Sequence, residues 1–170
     1  MTALYRTKVS AEDLWEAFEY SPLTGALIRR KGRPQDVGKR AGGNTASHGY
    51  RAVQIKGQLL LEHAVIWCWV TGEWAPEGLE VDHKNRTRQD NSWNNLRIGT
   101  PGQNQANCTA RSHNKLGIKG VRVTACGKYQ ARIKVKHVQK HLGNFDTIEE
   151  ASAAYKAAAL ELHGDFACLT

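Results

Sequence analysis

An α+β chain of two modules is what these 170 residues specify. Three observations carry that expectation. Hydroxyl residues with helix-start character stand at Ser10, Thr100 and Thr147. Short runs of alternating apolar and polar residues lie among them, broken by glycine-containing turns. Near the C-terminus charge is sorted by element. Residues 117–142 hold seven Lys or Arg and no acid, whereas 144–165 hold five acids and one Lys. That is the signature of a sheet with one face packed on a helix and the other left basic.

Ser10 with Glu12 and Asp13 opens the first helix, since carboxylates suit the positive end of the dipole. Leu14, Trp15 and Phe18 share its apolar face, and Ser21-Pro22 and Gly25 end it. A basic, glycine-rich stretch follows, with seven Lys or Arg between Arg29 and Arg51 against Asp36 alone. It is either a solvated loop or a phosphate-contacting one. Tyr50–Gln54 and Gln58–Leu61 form a hairpin around Lys56-Gly57, and Glu62–Val70 is a helix ended by Gly72. Leu79–Asp82 and Leu96–Ile98 are short strands joined by a polar, asparagine-rich loop. Thr100 caps a further short helix that has Pro101 at its first position.

The expected boundaries are 1–107 for the first module, 108–116 for a linker and 117–170 for the second. The second reads as three antiparallel strands and one helix. Val121, Val123, Tyr129, Ala131, Ile133 and Val135 alternate with polar residues, and His141-Leu142-Gly143 closes the third strand. Thr147 with Glu150 three residues on has capping-box spacing for an alanine-rich helix that stops at Gly164. Val123, Ala131, Ile133, Ala154, Tyr155 and Ala158 are the expected core of this module.

A net charge of +8 points to an acidic partner, with nucleic acid the default. No apolar run approaches the ~20 residues of a membrane span, and the first ten residues lack the apolar stretch of a secretory signal. The expected setting is cytoplasmic, without a membrane partner. Cys68, Cys108, Cys126 and Cys168 are too widely spaced for a cysteine zinc site, and Cys68 belongs to the core.

The chemistry gathers between Leu79 and Asn107. Asp82 and His83 adjoin at a strand end, Asn95 precedes the second strand, and Asn104 falls on the following helix. A strand–loop–strand–helix unit can bring these four together. A hard divalent cation wants oxygen ligands, which Asp82 and the Asn104 carbonyl can supply. A neutral imidazole near pH 7 can take the proton of an attacking water. Metal-assisted phosphodiester hydrolysis is the reaction such a set serves.

The string F-E-Y-S-P-L-T-G, H-G-Y-R, E-H-A-V-I-W, G-L-E-V-D-H, N-N-L-R and Q-N, from Phe18 to Asn107, resembles the HNH endonucleases of the phage and intron-encoded homing type. The resemblance implies a ββα-metal nuclease module. It implies Asp82 and Asn104 as metal ligands, His83 as general base and Asn95 as the clamp that orients the His83 segment. Asparagine at the last position favours one Mg²⁺ or Mn²⁺ over zinc. His63 matches a recurrent histidine, either supporting the site or touching phosphate, or else lying in the core. Arg97 either holds phosphate or closes the loop by a salt bridge.

The stretch G-V-R-V-T-A-C-G-K-Y-Q-A-R-I-K-V, continuing to E-L-H-G, is similar to the ethylene-response-factor DNA-binding domain. That similarity implies a sheet lying in the DNA major groove, with Lys119, Arg122, Lys128 and Lys134 on contact positions and Arg132 as an added candidate. Thr124 stands where arginine is usual, and Cys126 and His141 stand where tryptophans are usual, so the preferred DNA sequence should not carry over. The expectation is a metal-dependent endonuclease acting on double-stranded DNA, as a monomer or weak dimer. The alternative is a non-catalytic DNA-binding regulator that retains the nuclease scaffold.

Overall fold

The computed structural model describes residues 7–45, 49–112, 114–136 and 138–169. His48 of the H-G-Y-R motif lies outside them. The chain divides into two compact units, Met1–Gly99 and Thr100–Thr170. The architecture is α+β, with every strand pair antiparallel among the described residues.

In the first unit, helix α1 spans Ala11–Ala17 and starts on a capping box in which Ser10 and Asp13 satisfy each other's backbone N–H. It is shorter than the sequence suggests. The chain turns extended at Phe18, and β1 (Phe18–Ser21) pairs with β2 (Ala26–Arg29) in a hairpin that sequence reasoning missed. Phe-Glu-Tyr alternates with period two, so Phe18 and Tyr20 go inward and Glu19 outward. Leu14 and Phe18 are both buried, but Phe18 reaches the core from a strand. Trp15 is 41% exposed and donates its indole N–H to the Trp69 carbonyl, which corrects its expected place on the buried face.

A second sheet joins β3 (Asn44–Thr45), β4 (Arg51–Ile55) and β5 (Gln58–Leu61). It leads straight into α2 (Glu62–Thr71), which closes on left-handed Gly72. Val65, Ile66 and Cys68 of α2 are fully buried in one core with Leu14, Phe18, Leu27 and Val53. Burying each such aliphatic side chain contributes about 1.5–3 kcal/mol. The last pair, β6 (Glu80–His83) and β7 (Leu96–Gly99), sets Asp82 opposite Arg97 and His83 opposite Leu96.

The second unit begins with α3 (Pro101–Asn107), capped reciprocally by Thr100 and Gln103. Sequence reasoning placed this helix with the first module; its packing groups it with the second. The Lys119 ammonium donates to the carbonyls of Gln105, Ala106 and Cys108 and so satisfies the open, negative end of α3. The sheet order is β10-β9-β8, formed by β8 (Val121–Val123), β9 (Tyr129–Val135) and β10 (Val138–Phe145). Helix α4 (Ile148–His163) packs on one face, with Thr147 and Glu150 forming the expected capping box. Val121, Ala131, Ile133, Ala151, Tyr155 and Ala159 are the buried core, and Ala154 and Ala158 pack against it. Val123 does not join them. It closes a three-residue edge strand and is 52% exposed. Among the described residues, no helix is long and apolar enough to cross a membrane.

Candidate active site

β6 delivers Asp82 and His83 to the start of the asparagine-rich loop, and the first unit builds a buried polar cluster around the imidazole. His83 is 3% exposed. Its ring meets His63 edge-on at 5.1 Å, and Tyr50 packs against His63 at 5.1 Å and lies 5.9 Å from His83. The Arg88 guanidinium sits 5.2 Å over the Tyr50 ring. Burial pushes the His83 imidazole below its ordinary pKa, opposed by the Asn91 hydrogen bond and the Asp82 and Asp90 charges. Burial, helped by the His83 charge, pushes His63 down to about 3. Both rings are therefore neutral near pH 7.

His83 Nε2 lies 2.8 Å from Asn91 Oδ1, and Asn91 Nδ2 donates to Glu62 Oε2 at 3.1 Å. The same Glu62 oxygen accepts from Arg51 Nε at 2.7 Å. Glu62 and Asn91 are 0% and 1% exposed. Burial raises the Glu62 pKa, and the Arg51 and Arg40 charges oppose the rise. The first hairpin holds Asn91 in place. Tyr20 donates its hydroxyl to the Asn91 carbonyl at 2.8 Å, and Trp93 N–H reaches Pro22 O at 3.0 Å. At Gly25, where φ is +66°, a Cβ would stand 2.4 Å from the Asn91 carbonyl carbon, so only glycine permits this approach.

Asn95 ties the loop to the strands. Its Oδ1 accepts from Asn85 N–H at 2.9 Å, its Nδ2 donates to the Asp90 carbonyl at 2.7 Å, and Lys84 N–H reaches its own carbonyl at 2.8 Å. Asp82 pairs with Arg97 at 2.9 Å, with both side chains mostly buried, so Arg97 lies across the strand pair from the carboxylate. Asn104 lies on α3 in the second unit.

Among the described residues, no three His, Cys, Asp or Glu side chains gather as a metal-binding group. A hard cation that keeps its waters and takes substrate phosphate needs only one or two protein oxygens. Asp82 meets that minimal requirement with a carboxylate.

Residues 61–106 match the HNH endonuclease family model. That segment runs from the last residue of β5 into α3 and contains Asp82, His83, Asn91, Asn95 and Asn104. An uncharacterized HNH endonuclease of Acanthamoeba polyphaga mimivirus is 31% identical over 119 residues, covering 70% of this chain and 61% of that protein. The dehydration-responsive element-binding protein 2D of Arabidopsis thaliana is 38% identical over 86 residues, covering 49% of this chain and 38% of that protein. The chain thus spans less than two thirds of either curated relative. A solved structure of DNA binding and cleavage by the HNH homing endonuclease I-HmuI aligns over 86% of this chain and 84% of that one. At 19% sequence identity and a TM-score of 0.41, that likeness is too low to bear on function.

In the second unit, the face of the sheet away from α4 carries Arg122, Gln130, Arg132, Lys134, Gln139 and His141. Arg122 Nε donates to Gln130 Oε1 at 2.8 Å, and Arg132 reaches Gln139 Oε1 at 3.4 Å. Five of these side chains (all but Lys134) line a shallow concavity of about 240 Å³. Lys128 pairs with Asp146 at 2.9 Å, an exposed ion pair at the sheet's edge. Lys119 serves the end of α3, a role that sequence reasoning missed when it placed this residue among the DNA contacts. It missed Glu62 and Asn91 as well. The available signal was a lone carboxylate heading the E-H-A-V-I-W run, whose last four residues are apolar.

Proposed function

We propose that the chain is a metal-dependent DNA endonuclease of the homing type, in which His83 activates water for phosphodiester hydrolysis. The observation that carries this reading is His83 itself: an imidazole kept neutral by burial, next to the Asp82 carboxylate at the end of β6. A neutral imidazole near pH 7 is suited to accept a proton from water. The match of residues 61–106 to the HNH endonuclease family supports it. Asp82 would hold the divalent cation, and an oxygen donor suits Mg²⁺ or Mn²⁺. When bound, the cation would neutralise charge on the phosphate and the departing oxygen. Asn95 keeps the loop closed so that His83 and Asp82 stay in register, and Arg97 steadies the Asp82 carboxylate.

The basic sheet face of the second unit would hold duplex DNA through Arg122, Arg132 and Lys134, with Lys128 at its edge. The partial likeness to the Arabidopsis protein supports this assignment. Replacing Arg122 and Lys134 together by alanine is expected to weaken DNA binding and flatten its salt dependence. The log–log slope should fall by about 0.9 for each phosphate that the variant no longer neutralises. A gel-shift titration at several salt concentrations reads both, and an unchanged slope would remove this face from the interface.

The test of the activity is supercoiled plasmid incubated with the protein and Mg²⁺ or Mn²⁺. Open circles are expected, and EDTA should prevent their formation. A monomer with one site nicks; linear product would indicate a dimer or paired nicks. Tight binding without nicking in either metal, on phage-type genomic DNA as well, would favour the DNA-binding regulator instead.

A further inference from the structure

We propose that Glu62 and Asn91 form a buried positioning relay that sets the tautomer of His83, with the hydrogen on Nε2 and the lone pair on Nδ1. This inference rests on the reading of His83 as general base, but its structural content can be measured without activity. Arg51 Nε can only donate, so the Glu62 Oε2 that it contacts at 2.7 Å is an acceptor. Asn91 must therefore turn its NH₂ toward that oxygen, 3.1 Å away. Its Oδ1 is then fixed facing His83 at 2.8 Å. A carbonyl oxygen cannot donate, so His83 Nε2 must carry the hydrogen, and in a neutral ring the lone pair sits on Nδ1.

Each link is secured elsewhere in the fold. Arg51 comes from β4 and Glu62 from the first turn of α2, where the dipole favours a carboxylate. Gly42 leaves room for the carboxyl group, since a Cβ there would stand 3.2 Å from Glu62 Oε2. Tyr20 and Gly25 hold the Asn91 backbone. Glu62, Asn91 and His83 are all buried, so an inverted amide would set its oxygen against the Glu62 carboxylate out of reach of solvent. Glu62 touches neither the attacking water nor DNA in this scheme. Its acceptor-only oxygen acts at two removes, through Asn91, on which ring nitrogen carries the hydrogen.

The experiment is a two-bond ¹H–¹⁵N correlation spectrum of the metal-free chain labelled at its seven histidines. It is recorded near pH 8, above the ordinary imidazole range. The His83 signals are assigned by their loss in His83→Gln. Wild type is expected to show His83 protonated at Nε2 and unprotonated at Nδ1. Glu62→Gln permits the Asn91 amide to invert, and Asn91→Leu removes the acceptor, so both should produce a mixture of tautomers. In the double variant Glu62→Gln/Asn91→Asp, the introduced amide donates to the introduced carboxylate, and the Nε2-protonated form should return. That variant keeps one carboxylate in the cluster and decides the matter if a single variant does not fold. Nicking by the single variants should fall by about 10–100-fold with DNA affinity unchanged. A wild-type ring protonated at Nδ1, unchanged tautomers in both single variants, or an Nδ1-protonated double variant would overturn the relay. If wild type fails to nick plasmid at all, the functional reading falls while the spectrum still judges the relay.

Discussion

His83→Ala should lower the plasmid nicking rate by about 10²–10⁴-fold, the usual contribution of a positioned general base, while DNA affinity stays at the wild-type level. The separation follows from placement. His83 is buried among Tyr50, His63 and Asn91, whereas the proposed DNA contacts stand on the sheet of the second unit. Removing a buried ring also leaves a cavity, and a few kcal/mol of lost stability would confuse the result. His83→Gln guards against that, because an amide can still donate to Asn91 Oδ1 but cannot serve as a base near neutral pH. All five tryptophans, at positions 15, 67, 69, 74 and 93, lie in the first unit, so their fluorescence reports whether its fold survives. The pH dependence has a definite sign. The active form is neutral and burial lowers the His83 pKa, so the acid limb of the rate should lie below the ordinary imidazole value of about 6.5. The rate should change little between about pH 7 and 8 on this group's account. Nicking by His83→Gln that matches wild type at every pH would falsify the assignment of His83 as base.

Much of this arrangement is legible in the sequence because it is locally encoded. Ser10, Thr100 and Thr147 each cap a helix with the residue three positions on, and such pairs need no tertiary information. Lys56-Gly57 similarly announces its hairpin, and the Asp82-His83 pair at a strand end stands out beside a polar loop. The β1–β2 hairpin is hidden by a coincidence of spacing. Leu14 and Phe18 are four apart, as one helix face requires, yet Phe18 also begins the alternation that makes β1. The relay is hidden for a different reason. Asn85, Asn91, Asn94 and Asn95 are chemically alike, and the place of Asn91 beside His83 depends on Gly25 and Tyr20 some seventy residues earlier. Lys119 reads as a DNA contact because a solvated lysine and one that caps a helix have the same local sequence. Its hydrogen bonds to three carbonyls at the end of α3 appear only in the fold.

Gly120→Ala should remove most of the stability of the second unit. Gly120 has φ +75°, and a Cβ there would stand 2.1 and 2.2 Å from Cδ2 and Cε2 of Tyr155 and 2.7 Å from the Arg132 carbonyl oxygen. Neither neighbour can yield cheaply. The Arg132 carbonyl has no slack, because Arg132 N–H is itself held by Gly120 O at 2.9 Å and β9 is the central strand. Tyr155 is the largest side chain of a small alanine-rich core, and its burial pushes its phenol up to about 12. The left-handed backbone costs alanine about 1–2 kcal/mol and overpacking adds about 1–3. At roughly 0.05–0.15 kcal/mol per residue, a unit of this size has only about 4–10 kcal/mol to lose. The measurement uses two probes on the whole chain. Far-UV circular dichroism follows α4, the longest helix among the described residues, while tryptophan fluorescence follows the first unit alone. The dichroism transition should move to much lower temperature or vanish, the fluorescence transition should barely shift, and DNA affinity should fall with the former. Coincident transitions at the wild-type temperature would show that the ring and the strand relax around the new methyl group, and that this close approach matters little to the fold.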